Sequence, residues 1–128
     1  MIKSFRDLEV YQLSYELAMD IFSLTRNFPK EESYSLTSQM VRSSRSISAN
    51  IAEGWAKRTY EKKFKVHLID SLGSATETPN WCSFAKDCNY VNSDQYDHLT
   101  EKLDHIGRKL TKLHPNWKTR DLPASNHL

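Results

Sequence analysis

The sequence lacks long apolar runs and any cluster of cysteines. Its uninterrupted apolar stretches are only a few residues long, whereas a helix that crosses a bilayer needs roughly 20. The first ten residues carry charges where a secretory signal would be apolar, so we expect a cytoplasmic protein that does not enter a membrane. Cys82 and Cys88 are six positions apart in one predicted helix and point to different faces, which predicts two free thiols.

Glycine and proline are also scarce, with three and four copies in 128 residues. Gly54, Gly73 and Gly107 are isolated, unlike the clustered glycines of hairpin turns or phosphate-binding loops, so a sheet-rich fold is disfavoured. A chain of this length can bury a core without disulfides or a structural metal. We therefore expect a single domain over residues 1–128.

Apolar residues recur at spacings of three and four in four long segments, which is typical of amphipathic helices. Short connections between such helices favour antiparallel neighbours, so the sequence predicts an all-α protein, an antiparallel up-down-up-down four-helix bundle. The remaining segment, 118–128, has no apolar face and is predicted to be a flexible tail. The predicted helices cover about 7–27, 36–56, 59–88 and 94–114.

The apolar positions of each predicted helix define the expected core. The second helix has a thin stripe rich in small residues, which suits a close approach of another helix. Thr59 and Ser93 are the predicted N-caps of the third and fourth helices, and Pro79 is predicted to bend the third helix near Thr76 and Glu77. The expected core residues are Leu8, Val10, Tyr11, Tyr15, Leu17, Ala18, Ile21, Phe22 and Leu24 in the first helix, Leu36, Met40, Ser44, Ile47, Ile51 and Trp55 in the second, Phe64, Leu68, Leu72, Ala75 and Cys82 in the third, and Tyr96, Leu99, Leu103, Ile106, Leu110, Leu113 and Trp117 in the fourth.

The sequence contains no arrangement of residues that is typical of catalysis. A di-iron site in a helix bundle needs Glu-x-x-His on two helices, and no histidine here has a glutamate three positions before it. Paired Cys-x-x-Cys zinc ligands, a nucleophile elbow and a glycine-rich phosphate loop are missing as well. We therefore predict a protein without enzymatic activity, metal or cofactor. The alternative is an enzyme that uses His67 and Asp70, which share one helix face.

The net charge of +2 hides an uneven distribution of charge along the chain. Residues 57–65 and 108–128 each carry a net charge of +4, whereas residues 66–107 carry −5. In an up-down-up-down bundle both basic segments lie at the same end, and acidic residues gather at the other end. The predicted nucleic-acid-binding residues at the basic end are Lys57, Arg58, Lys62, Lys63, Lys65, Arg108, Lys109 and Lys112, and the acidic residues at the opposite end are Glu31, Glu32, Asp87, Asp94 and Asp97.

Three lysines fall in the first turns of the predicted third helix, where the helix dipole disfavours positive charge. The cost for each of Lys62, Lys63 and Lys65 is a few tenths to about 1 kcal/mol. Phosphate groups there would be stabilised by the lysines and by the free backbone N–H groups of the helix end. Tyr60 is a lone aromatic residue beside them, which predicts binding that tolerates different base sequences. The alternative interpretation is a solvated charged face without a ligand.

The second predicted helix also relates the chain to a known family. Its segment Leu36–Gly54, which ends in Asn-Ile-Ala-Glu-Gly, resembles the four-helix-bundle family first noticed as proteins encoded inside intervening sequences of bacterial 23S ribosomal RNA genes. Three other segments resemble the opening and the third- and fourth-helix signatures of that family, so that the resemblance covers about residues 4–114. These segments are Phe5–Tyr11, Gly73–Glu77 and Ile106–Leu110.

The resemblance implies an antiparallel bundle that assembles into a homopentamer with a central channel. Distant relatives are the accessory proteins of diversity-generating retroelements, basic pentamers that bind the element's reverse transcriptase and nucleic acid. Three residues depart from the family pattern. Thr78 and Pro79 lie where the family usually continues a regular helix, and Ser48 stands where many members have proline.

Two functional hypotheses follow. The first is a non-enzymatic, oligomeric protein whose basic end binds the phosphate backbone of RNA or DNA. The second is an accessory scaffold that binds a reverse transcriptase in a diversity-generating retroelement, through the serine-rich face of the second helix and Trp81. The pattern leaves open whether Arg42 and Arg45 face solvent, a neighbouring subunit or a ligand.

Overall fold

The computed structural model describes residues 2–117, so the predicted tail 118–128 lies outside the described residues. Within residues 2–117 all regular secondary structure is helical, which confirms the all-α prediction. None of these helices combines the length and the apolarity that crossing a bilayer requires. The helices are α1 (Glu9–Thr25), α2 (Leu36–Ala56), α3 (Glu61–Asp87) and α4 (Ser93–Asn116), with short 3-10 turns at Phe5–Asp7 and Lys30–Glu32.

The N-caps of α3 and α4 differ from the predicted ones. The N-cap of α4 is Asn92, because its side chain accepts from the Gln95 N–H at 2.8 Å while the Gln95 side chain accepts from the Asn92 N–H at 2.9 Å. The prediction of Ser93 was therefore wrong by one residue. The N-cap of α3 is Tyr60, which makes no side-chain cap hydrogen bond, so the prediction of Thr59 was also wrong.

The four helices pack in a ring in which each helix contacts the next one along the chain, and α4 closes the ring on α1. Contacts between α1 and α4 show that these two helices run in opposite directions. The ammonium group of Lys109, near the end of α4, is 3.0 Å from the carboxylate of Glu9 at the start of α1. That of Lys102, nearer the start of α4, is 3.0 Å from Asp20, nearer the end of α1. The bundle is therefore antiparallel, as predicted.

The core follows the predicted stripes in α2, α3 and α4. All six expected residues of α2 are buried, and the expected residues of α3 and α4 are buried or packed against the core. Helix α1 differs, because Tyr15 is 54% exposed and Ser14 is buried in its place. The Ser14 hydroxyl donates to the Val10 carbonyl at 2.6 Å, and this satisfied hydroxyl can lie in an apolar interior. The prediction for Tyr15 was therefore wrong.

Helices α2 and α3 meet through small polar side chains. The Ser71 hydroxyl donates to the Ile47 carbonyl at 2.8 Å, and the Thr78 hydroxyl lies 3.0 Å from that of Ser43. We call this line of contacts the α2–α3 seam. The expected close approach of another helix to the serine-rich segment is therefore made by α3 of the same chain. Ser43 and Ser44 are buried, and these two serines are not available as a partner surface.

Helix α3 continues through Pro79 without interruption. Proline has no N–H for the carbonyl four residues earlier, so one bond of the helical ladder is lost there. Hydroxyls bond to backbone on both sides: Thr78 donates to the Ser74 carbonyl at 2.8 Å, and Ser83 donates to the Pro79 carbonyl at 3.1 Å. The bend that the sequence predicts at this point stays a prediction.

Candidate nucleic-acid interface

The ends of α2, α3 and α4 that carry the basic segments are held together by three aromatic residues. The ring of Trp117, just after α4, lies 4.6 Å from the ring of Phe64 and 5.8 Å from that of Trp55. Phe64 is near the start of α3 and Trp55 is near the end of α2, and both are buried. These contacts place residues 57–65 and 108–112 at one end of the bundle, which we call the basic end.

The connection between α2 and α3 contributes Lys57 and Arg58. The Lys57 N–H donates to the Gly54 carbonyl at 2.9 Å and ends α2. The Arg58 guanidinium lies 4.4 Å from the centre of the Trp55 ring and donates to the Trp55 carbonyl at 3.0 Å. Stacking and hydrogen bonding therefore fix the position of the partly buried Arg58 guanidinium.

The first turns of α3 contribute Lys62, Lys63 and Lys65. Lys62 and Lys63 are exposed, and the Lys63 ammonium lies 5.3 Å from the centre of the Tyr60 ring. Lys65 is partly buried and pairs with Glu61 at 3.4 Å. Among residues 2–117, no carboxylate lies within 4.0 Å of the Lys62 or Lys63 ammonium group. Two exposed positive charges therefore lie on consecutive residues at the start of α3, without a carboxylate partner within residues 2–117.

The last turns of α4 contribute Arg108, Lys109 and Lys112. Arg108 pairs with Asp104 at 2.8 Å, and both side chains are about two-thirds exposed. Lys109 pairs with Glu9 at 3.0 Å. Lys112 is exposed and has no carboxylate within 4.0 Å in the described range 2–117. Exposed ion pairs contribute only about 0–1 kcal/mol, so Arg108 can exchange its carboxylate for a phosphate at small cost.

His67 connects the basic end to the α2–α3 seam. Its side chain is only 13% exposed, and its Nε2 lies 2.9 Å from the Lys57 ammonium, from which it accepts. Its Nδ1 lies 3.3 Å from Asn50 Oδ1, which accepts the ring N–H in this tautomer. The Glu53 carboxylate is 3.3 Å from His67 Nε2 and 3.6 Å from the Lys57 ammonium. His67 thereby orients Lys57, the first cation of the basic end.

Gly54 allows the two helices to approach at this level. A Cβ atom on Gly54 would lie 2.7 Å from the Cβ of His67 and 3.1 Å from Cδ1 of Phe64, which is too close for two carbon atoms. The Asn-Ile-Ala-Glu-Gly segment therefore acts in packing: Asn50 and Glu53 contact His67, Ile51 is buried and Gly54 admits α3. Helical periodicity placed Ile51 in the core, but it predicted no contact for Asn50, Glu53 or Gly54.

The alternative catalytic pair and the two arginines of α2 lie in different surroundings. Asp70 is exposed and makes no hydrogen bond to His67 within residues 2–117. Among the same residues there is no group of three histidines, cysteines or carboxylates that could hold a metal ion. Arg42 and Arg45 are exposed in the first half of α2, and Arg45 lies 5.7 Å from the centre of the Phe22 ring. They are not part of the basic end.

A groove between α3 and α4 reaches the basic end, and no sequence pattern predicted it. Its volume is about 670 Å³, and its lining includes Leu72, Pro79 and Gly107. Arg108 and Lys112 also line it, so two of the predicted binding residues border an open, largely apolar surface. The neighbouring surface between α1 and α4 is also lined by Lys112, together with Lys109. The basic end is therefore open at its sides.

Comparison with known proteins agrees with this architecture. The profile of the family described as 23S rRNA-intervening sequence protein matches residues 6–112. A crystal structure of a protein of unknown function from the S23 ribosomal protein family of Bacteroides thetaiotaomicron VPI-5482 is similar, with a TM-score of 0.76 and 26% identity. That similarity covers 84% of this chain and 96% of the other. No protein with a curated description matches the chain. Because the family profile covers most of the sequence, the chain belongs to the 23S rRNA-intervening sequence protein family.

Proposed function

We propose that this chain is a non-enzymatic, oligomeric protein whose basic end binds the phosphate backbone of RNA or DNA. The observation that carries the proposal is the exposed pair Lys62 and Lys63 at the start of α3, which lacks a carboxylate partner within residues 2–117. Lys112 supports it from α4 at the same end of the bundle. The phosphates of a polyanion would provide these three ammonium groups with negatively charged partners.

The backbone at the start of α3 favours the same ligand. The Tyr60 side chain does not cap the helix, and the N–H groups of Lys62 and Lys63 have no acceptor within residues 2–117. A helix N-terminus carries a partial positive charge, so positive side chains are disfavoured there and phosphate is favoured. Binding a phosphate would therefore relieve the repulsion between the lysines and the helix end and provide an acceptor for the N–H groups.

The contacts of the basic end fit recognition of the backbone and not of base edges. Tyr60 is 64% exposed and already has the Lys63 ammonium near its ring. One aromatic residue supports little base stacking, and phosphate contacts carry no sequence information. The proposed binding is therefore tolerant of sequence and sensitive to salt.

Assembly would multiply the basic end. The resemblance to the family implies a homopentamer, and five copies of the basic end around one axis would form a ring of cations. Their summed field exceeds that of one subunit, and several weak phosphate contacts made at once give a higher apparent affinity than any one of them. We include this pentamer in the proposal.

The test measures binding of the full chain to a fluorescein-labelled RNA hairpin by fluorescence anisotropy, at about 100 mM salt. The double variant Lys62→Glu/Lys63→Glu is expected to bind about tenfold more weakly or worse, because each reversal replaces a phosphate contact with a repulsion. The matched control is Lys30→Glu/Arg42→Glu, which changes the net charge equally but lies outside the basic end. Equal losses in both variants, or no binding by the unmodified protein, would contradict the proposal.

The second hypothesis, a scaffold for a reverse transcriptase, depends on a surface for a protein partner. One of its two predicted surfaces, the serine-rich face of α2, is reduced, because Ser43 and Ser44 are buried. The other predicted surface is Trp81, which is partly exposed. A reverse transcriptase encoded beside the gene and recovered with the protein from its native cells would support this hypothesis. Recovery of nucleic acid alone would argue against it.

A further inference from the structure

A cleft lined by aromatic residues lies at the end of the bundle opposite the basic end. Its volume is about 440 Å³, and it lies between the residues that precede α2 and the last turns of α3. We call it the aromatic cleft and define it by Glu32, Tyr34, Leu36, Trp81 and Phe84. None of these residues belongs to the basic end, so the cleft is a separate surface.

Two aromatic side chains of the cleft, Tyr34 and Phe84, are exposed, whereas Trp81 is partly buried and packs against the core. Tyr34 is 99% exposed, and its ring makes no ring contact or hydrogen bond within residues 2–117. Phe84 is 54% exposed, and its ring lies 6.0 Å from that of Trp81, tilted by 32°. Exposed aromatic side chains, such as Phe84 on α3 and Tyr34 in the turn before α2, are typical of surfaces that bind a protein partner.

Glu32 is a fixed carboxylate in the wall of the cleft. It accepts hydrogen bonds from the Ser35 hydroxyl at 2.6 Å, the Tyr90 hydroxyl at 2.9 Å and the Leu36 N–H at 3.4 Å. These hydrogen bonds hold the pKa of Glu32 below its ordinary value, and the bond from Ser35 contributes most, with that from Tyr90 second. The carboxylate therefore stays ionised and keeps its orientation.

The surroundings of the cleft are negatively charged. The two segments that form it, 30–39 and 77–88, contain four carboxylates and two lysines. One of the carboxylates, Glu77, accepts from the Trp81 indole N–H at 2.9 Å, beside the aromatic pair. One of the lysines, Lys86, lies 4.5 Å from the centre of the Tyr96 ring and is occupied there. Nucleic acid would be repelled from this surface, and a cation would be attracted.

We propose that the aromatic cleft binds an arginine-bearing segment of a protein partner. A guanidinium group is planar, so it stacks on an aromatic ring while its N–H groups bond to a carboxylate. The cleft offers both groups, since Trp81 and Phe84 supply ring faces and Glu32 supplies the carboxylate. A polypeptide is favoured over a small cation because its neighbouring side chains also cover the exposed ring of Tyr34. This site is independent of the proposed nucleic-acid interface, since it differs in location, charge and ligand.

The test uses the ¹⁵N-labelled full chain and the acetylated, amidated hexapeptide Leu-Arg-Gly-Leu-Arg-Gly. The peptide is expected to shift the indole N–H resonance of Trp81 saturably, while those of Trp55 and Trp117 at the basic end stay in place. A peptide with citrulline in place of arginine keeps the shape and loses the charge, and it is expected not to bind. A lysine peptide is expected to bind several-fold more weakly, because ammonium lacks the planar fork.

The variant Tyr34→Ala/Phe84→Ala removes two exposed rings without opening the core. It is expected to bind the arginine peptide with about tenfold lower affinity. Tyr60→Ala, which removes an exposed ring at the basic end, is the matched control and is expected to leave the affinity unchanged. Equal shifts from the citrulline peptide, or equal losses in both variants, would overturn the proposal. Sedimentation velocity of this variant and of the unmodified protein provides a further check. A smaller assembly for the variant would also overturn the proposal, because it would mean that a second copy of the chain covers the cleft.

Discussion

Gly54 and His67 bring α2 and α3 closer together than two residues with side chains could. The missing Cβ of Gly54 would lie 2.7 Å from the Cβ of His67, and neither atom belongs to the flexible end of a side chain. Glycine inside a helix is less favourable than alanine by roughly 0.5–1 kcal/mol, and Gly54 lies in the last turn of α2. The fold therefore requires glycine at this position in spite of its helix propensity.

Replacement of Gly54 by alanine should lower the free energy of unfolding by about 1–3 kcal/mol, because the added methyl group overpacks the seam. The matched control is Gly73→Ala, since a Cβ on Gly73 would have no atom within 4 Å. That variant should raise the free energy of unfolding by about 0.5–1 kcal/mol. Urea denaturation followed by circular dichroism measures both. Stabilisation by both alanines would mean that the helices are not in close contact at Gly54.

The two cysteines should react with a thiol reagent at very different rates. Burial raises the pKa of the Cys82 thiol to about 12, and this side chain is fully inaccessible, whereas Cys88 is exposed. Because the thiolate is the reactive form, one thiol per chain should react quickly in the folded protein and the second only in denaturant. Labelling with a chromogenic disulfide measures both phases. The variant Cys88→Ser should lose the fast phase, and a fast phase that persists in it would contradict the assignment.

Asp20 should make stability depend on pH only in the acid range. Burial alone would raise the pKa of its carboxyl, but hydrogen bonds from His98 at 2.8 Å and Lys102 at 3.0 Å, with their charges, lower it below the ordinary value of 3.8. A carboxyl with a lowered pKa stabilises the fold above its ordinary pKa and loses this contribution as the pH falls through the folded value. The contribution is therefore present at neutral pH and disappears below about pH 4.

The variant Asp20→Asn should accordingly be less stable than the unmodified protein by about 1 kcal/mol or less at neutral pH, as for other solvent-screened pairs. The difference between the two proteins should shrink as the pH falls below 4. Urea denaturation at several pH values measures it. The exposed Asp70→Asn on α3 is a suitable control, and a difference for Asp20→Asn that persists in strong acid would exclude this ionic origin.

The salt dependence of RNA binding should show which individual lysines contact phosphate. Each phosphate contact releases counterions and adds roughly 0.7–0.9 to the slope of log affinity against log salt concentration. Lys62→Ala and Lys63→Ala should each reduce that slope by about one, whereas Lys30→Ala at the other end should leave it unchanged. Anisotropy titrations at four or five salt concentrations measure the slopes. If Lys30→Ala changed the slope as much as Lys62→Ala, the contacts would not be confined to the basic end.

Periodicity predicted most of the fold because the stripes of α2, α3 and α4 recur at regular spacings of three and four, which select one face of each helix. It failed in α1, where two adjacent stripes offered apolar residues to the core. There Ser14 and Thr25 are buried, with hydroxyls bonded to carbonyls of their own helix, and Tyr15 is exposed. Hydropathy ranks the serine as polar and the tyrosine as partly apolar, so it could not select the observed face.

The location of the basic residues could be predicted from topology, but their ion pairs only in part. Pairs four positions apart, such as Glu61 with Lys65, follow from helical spacing. The pair of Glu9 with Lys109 joins distant segments and depends on the packing of α1 against α4. The hydrogen bond between Asn50 and His67 could not be predicted for the same reason, because it depends on which residue of α3 packs against Asn50.

The length of the bundle separates its two charged surfaces electrically. Helix α3 has 27 residues, which corresponds to about 40 Å at 1.5 Å per residue. In physiological salt the Debye length is about 8 Å, so the potential of the basic end has decayed before it reaches the aromatic cleft. A polyanion at one end and a cationic partner at the other would therefore neither help nor hinder each other electrostatically. Only in dilute buffer would occupancy of one end alter affinity at the other.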